Sequence, residues 1–210
     1  MRLNPYYTEF EKHHSLIFAD HPNLRITGII DYHESEDAPG WCQHRVEYKC
    51  PLSRQWQRWN EVNQKYLSQT QFAEFIEDNI ADIVHPDGQE LMEMVLQFQQ
   101  IQKAVFGSSH RLQSGEFSIQ YSQENQKGTF ELPETITLGI PVFHNGEKYE
   151  VKAKLRYRIK EGELKLMLAL KESERITEDA FTGVIKKIQP DCTNVVIEGT
   201  APHQSTHYSI

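Results

Sequence analysis

The chain has 210 residues and a net charge of −8, with 25% charged and 38% hydrophobic residues. That is enough for one large domain or two small ones with a real core. The acidic balance excludes whole-molecule steering toward nucleic acid but leaves room for a local basic patch. No apolar run reaches membrane-spanning length, and the opening MRLNPYYTEFEKHHSL has no apolar signal region. The three cysteines show no CxxC spacing, which fits reduced thiols and a cytoplasmic protein.

Residues 1–23 read as an N-terminal arm, polar and broken at Pro5, with a short helix over residues 8–19 as the alternative. Residues 24–33 read as a strand and 42–49 as its return, joined by the acidic stretch ESEDAPGW. Residues 24–50 thus form a projecting β-hairpin. An isolated hairpin is marginal in water, so packing on a second copy is expected, with Glu34, Glu36, Asp37 and Trp41 as the oligomer contact.

Pro51 stops the strand, and Ser53 caps a helix running to about Tyr66 with Trp56, Trp59, Val62 and Tyr66 on one face. Two tryptophans so placed read either as a stacking platform for bases or sugars or as core anchors, the usual role of large aromatics. Ser68 and Gln71 form a capping box for the next helix, residues 67–88, whose apolar face is Phe72, Phe75, Ile76, Ile80 and Ile83. Glu74, Glu77, Asp78 and Asp82 lie mostly off that face. A third helix over residues 88–106 carries Leu91, Met94, Val95 and Phe98.

After Gly107-Ser108-Ser109 the hydrophobic period falls to two. Residues 110–121, 129–143, 148–160 and 163–170 read as strands of an antiparallel meander, with turns at Gly128, Asn145-Gly146 and Glu161-Gly162. Residues 173–188 return to helix and Pro190 stops it; residues 193–198 are a last strand, and 200–210 form a tail. The predicted fold is α+β: an N-terminal β-hairpin, a helical middle, then an antiparallel β-meander with a C-terminal helix. Residues 51–199 form its body.

One strand face carries a pattern. In VKAKLRYRIK, Lys152, Lys154, Arg156, Arg158 and Lys160 share one side, and Val151, Ala153, Leu155, Tyr157 and Ile159 the other. Five like charges in a row repel, so something must offset them. Three counterparts fit: a nucleic-acid phosphate backbone, acidic residues of the same chain such as Glu116, Glu131, Glu134 or Glu150, or an acidic surface of another copy.

Catalytic signatures are absent: the chain has no P-loop, GxGxxG, HExxH or GxSxG. His33, Cys42, His44 and Cys50 are the best metal candidates, at a spacing that matches no standard zinc pattern. Neither a cofactor nor a metal is expected, and no site residue is assigned to catalysis.

The segments TGIIDYHESEDAPGWCQHRVEYKCPLSRQWQRW, SQTQFAEFIEDN, RLQSGEFSIQYSQEN, LPETITLGIPVF and YEVKAKLRYRIKEGELKL occur in that order. This series, across residues 24–188, resembles the YfdQ-like family of phage and prophage proteins, with FAEFIED its most specific part. The resemblance implies a phage or prophage origin, a bacterial cytoplasm and no established activity. Members often carry a longer region before the first strand, so a short member or a trimmed start is expected. Their association with phage recombination and replication genes adds weight to the nucleic-acid reading of the basic strand but supplies no site residue. The order of arm, hairpin, long helix and sheet also resembles phage-capsid-like shell proteins. The leading expectation is a non-enzymatic, self-assembling homo-oligomer, shell- or ring-like. The alternative is a nucleic-acid-associated accessory factor using Lys152 to Lys160, and the third reading is an enzyme of unrecognised type.

Overall fold

The computed structural model describes residues 15–33, 37, 40–100, 105–113, 115–123, 126–191 and 196–203. Their fold is α+β, as predicted, with strands in three mostly antiparallel sheets. The helices are α1 (Arg54–Val62), α2 (Gln69–Asp78), α3 (Gly88–Gln100) and α4 (Ser173–Ile188). Two compact units divide the chain, Met1–Pro51 with Thr177–Ile210, and Leu52–Ile176. No helix of the described residues is long and apolar enough to cross a membrane.

The first unit holds a four-stranded sheet. Its strands are β1 (Leu16–Asp20), β2 (Arg25–Ile29), β3 (Arg45–Lys49) and β12 (Val196–Glu198), in the order β12-β1-β2-β3. The hairpin pairing holds, with Arg25 opposite Lys49 and Ile29 opposite Arg45. Residues 16–20, expected in a helix or an arm, form a strand instead. Ile17 and Phe18 favour extended backbone, and β1 fills the place between antiparallel β2 and parallel β12. Residues 1–14 of the arm, like residues 204–210 of the tail, lie outside the described residues. Asp20 fixes the β1–β2 turn by accepting the Asn23 backbone N–H at 3.1 Å and its side-chain amide at 3.0 and 3.1 Å. Phe18, Ile29 and Cys42 form a small buried cluster, and Phe181 of α4 meets the His21 ring edge-on at 4.9 Å.

The second unit contains two sheets. The larger runs β4-β11-β10-β9-β5, from β4 (Tyr66–Ser68), β5 (Ile83–His85), β9 (Thr135–Pro141), β10 (Lys148–Lys160) and β11 (Glu163–Leu170). The smaller is the meander of β6 (Val105–Arg111), β7 (Phe117–Gln123) and β8 (Gln126–Leu132). Helices α1 and α2 pack on the larger sheet, over a core that includes Trp59, Phe72, Ile76, Leu138, Leu155 and Leu166. Both helical tryptophans, Trp56 and Trp59, are buried as core anchors. Trp59 also donates its indole N–H to Asp82 at 3.0 Å.

Several expected elements end early because sheet edges take over the chain. Helix α1 stops at Val62: Gln64 donates its N–H to the Leu168 carbonyl, and Asn63 Oδ1 accepts from the Leu170 N–H. The chain is thereby laid along β11, and Tyr66 joins β4 instead of a helical face. Helix α2 likewise ends at Asp78, where Asn79 Nδ2 bonds the Phe75 carbonyl, and Ile83 pairs with Leu138 in β5. Gly107-Ser108, expected as a break, is a register irregularity within β6. The single strand expected over residues 129–143 is two, β8 and β9, on either side of Pro133, which has no N–H for a ladder. Gly128 is no turn: it sits in β8 opposite Tyr121, whose ring occupies the space a side chain would need. By contrast, Glu161-Gly162 is the turn expected, both at positive φ (54° and 82°), joining the long strands β10 and β11.

A basic sheet face as the candidate site

Strand β10 lies at the centre of its sheet and obeys its alternation. Val151, Ala153 and Leu155 are buried, while Lys152, Arg156, Arg158 and Lys160 are exposed and Lys154 is half-buried. At the rise of a strand, the five cations span about 27 Å in steps of about 6.8 Å. The chain's own carboxylates offset the ends of this row. Lys154 pairs with Glu134 at 3.2 Å, Lys152 approaches Glu150 at 3.9 Å, and Lys160 approaches Glu161 at 3.6 Å. Glu134 also takes Arg111. The Lys154 hydrogen bond, reinforced by Arg111 against the cost of desolvation, holds the Glu134 carboxyl below its ordinary range.

The centre of the row differs. Among the described residues no carboxylate stands within ion-pair distance of Arg156 or Arg158. A sixth cation, Lys165 of β11, lies directly opposite Arg158 and adds to the excess. Beyond it, β4 brings Tyr66 into the patch: Tyr66 stands opposite Met167, which stands opposite Arg156. The guanidinium of Arg158 lies over the Tyr66 ring, 4.7 Å from its centre, and Tyr66 remains 42% exposed. The result is an unbalanced cluster of Arg156, Arg158 and Lys165 with an accessible aromatic ring at its side.

The other sequence candidates fall elsewhere. Glu116 and Glu131, offered as offsets for the row, line an open cleft of about 360 Å³ together with Glu90 and Glu93 of α3. Glu34 and Glu36 of the oligomer contact lie outside the described residues, whereas Asp37 and Trp41 are exposed. Cys42 and Cys50 are buried, separated by strand β3 of about 17 Å. The His44 ring turns to Asp31 at 3.4 Å, and the His33 ring packs against Tyr32 at 4.8 Å. Among the described residues, no group of three or more His, Cys, Asp or Glu is placed to hold a metal ion.

Sequence reasoning missed Tyr66 because its spacing continues the Trp56–Trp59 face. Lys165 was legible: in ELKLMLAL it is the lone cation among residues that alternate with the leucines.

Residues 2–200 match the family described as an uncharacterized conserved protein, DUF2303. The chain belongs to this family. The DUF2303 match takes in all three sheets and the whole basic row. No curated protein and no solved structure matches the chain.

Proposed function

We propose that this DUF2303 member is a non-enzymatic accessory protein of phage or prophage type. In this reading it acts in the bacterial cytoplasm and binds nucleic acid through the basic face of β10. The observation that carries the reading is the uncompensated centre of the row: Arg156, Arg158 and Lys165 lie together on a sheet face without a carboxylate partner among the described residues. A polyanion supplies the missing charge, and the release of its counterions supplies the driving force despite a net charge of −8. The acidic cleft of Glu90, Glu93, Glu116 and Glu131 repels the same ligand and helps confine it to the basic face.

The test is purification at low salt from nuclease-treated and untreated lysate, for wild type and Arg156→Glu/Arg158→Glu, reading ultraviolet absorbance and native mass. The reading expects nucleic acid on the untreated wild type and none on the variant. A wild type free of nucleic acid in both lysates, with a large native mass that the variant loses, would place the row on another copy instead.

Self-association is a second reading, favoured by β3. It is an edge strand among the described residues, with Val46 57% and Tyr48 55% exposed and Trp41 51% exposed nearby. Its charges alternate as Arg45, Glu47, Lys49. Antiparallel pairing with a second β3 about Tyr48 sets each Glu47 opposite the other copy's Lys49, a favourable cross-strand pair. Val46→Lys with Tyr48→Lys is expected to reduce the native mass to that of a monomer and leave nucleic-acid binding intact. An unchanged mass removes β3 from the contact.

A further inference from the structure

Resting on the nucleic-acid reading, we infer that the β10 face selects single-stranded over double-stranded nucleic acid, with Tyr66 as the ring on which a base stacks. Three observations converge. First, β9 pairs with β10 only as far as Lys154, so Arg156, Arg158 and Lys165 lie on a strip of three strands, β10, β11 and β4, with Tyr66 on the outermost. A duplex lying along this strip offers it phosphates while its bases stay paired inside, whereas a single strand can hold its phosphates on the same cations and leave its bases free.

Second, the row follows a single strand, with a cation about every 6.8 Å. An extended single strand can follow it and turn its bases across the neighbouring strands. Third, only one flank offers those bases a surface. On the β9 side, Lys152 and Lys154 face Thr137 and Thr135. On the β11 side, Arg156 faces buried Met167, and Tyr66 follows one strand further, about 10 Å from β10. An unpaired base can reach that distance, whereas a paired base is held inside its stack. Arg158 over one side of the ring fixes its orientation and links phosphate contact to base contact in one side chain.

The experiment is equilibrium binding of a labelled oligo-dT and of a duplex of the same length, at low salt, to wild type, Tyr66→Phe and Tyr66→Leu. Wild type is expected to hold the single strand at least tenfold more tightly than the duplex. Tyr66→Phe keeps the ring and is expected to match it. Tyr66→Leu is expected to bind the single strand roughly fivefold to a hundredfold more weakly, the worth of one stacked base, with duplex affinity and thermal midpoint unchanged. Equal affinity for both forms, with no effect of Tyr66→Leu, overturns the selectivity and leaves phosphate binding standing. Poly-glutamate competing as well per charge as oligo-dT also overturns it. Binding of neither form removes the nucleic-acid reading itself.

Discussion

Ser53 makes two hydrogen bonds that a methyl group cannot replace. Its hydroxyl accepts the Trp56 N–H at 2.9 Å, capping α1, and donates to the Pro141 carbonyl at 2.5 Å, tying the helix to the end of β9. Ser53→Ala is expected to destabilise the fold by about 1–2 kcal/mol, measured by urea unfolding, because the helix cap and the donor to the Pro141 carbonyl are lost together. Cys42 and Cys50 also answer to their surroundings: burial raises both thiols, so little thiolate forms near neutral pH. Both are expected to resist thiol reagents in the native protein and to react on unfolding; rapid native labelling would contradict this. Glu134 titrates in the other direction. With its folded-state pKa depressed, it contributes stability above the unfolded carboxylate range, and that contribution is lost as pH falls through the folded value. Replacing Lys154 by Met should move its titration upward in carbon-detected NMR, with the acid loss of its contribution beginning at higher pH. An unmoved titration would mean that Lys154 does not hold the carboxylate.

At the scale of elements, short strands decide where helices stop. Ser68 is the last residue of β4 and the N-cap of α2, with a reciprocal capping box to Gln71 at 3.0 and 3.2 Å. Ser68→Ala is expected to cost about 1 kcal/mol, and Ser68→Gly only a few tenths, in equilibrium unfolding. The capping box, the β10–β11 pair and α4 were legible because each rests on local chemistry: a cap, an alternation, a turn at Glu161-Gly162. The strands β4 and β5 were not. Tyr66 and Ile83 continue a helical spacing in sequence, and only the free edges of β11 and β9, about 99 and about 55 residues further along the chain, draw them into a sheet. The candidate site divides in the same way. The cationic row follows from strand period alone, whereas its ion-paired ends, its unpaired centre and its aromatic neighbour depend on register between strands distant in sequence.

At the scale of the whole molecule, a net charge of −8 coexists with a cationic row whose centre has no carboxylate partner among the described residues. Within the second unit, Glu90, Glu93, Glu116 and Glu131 line the cleft between α3 and the small sheet, whereas Arg156 and Arg158 lie on β10. Binding on that face is therefore expected to be strongly salt-dependent and confined to it. The salt dependence of oligo-dT binding, compared between wild type and Arg156→Glu/Arg158→Glu, tests this most directly. Loss of two phosphate contacts should flatten the slope of log K against log salt by about 1.4 for a single strand, along with a large fall in affinity at low salt. The same slope and affinity in the variant would show that the β10 face does not hold the phosphates.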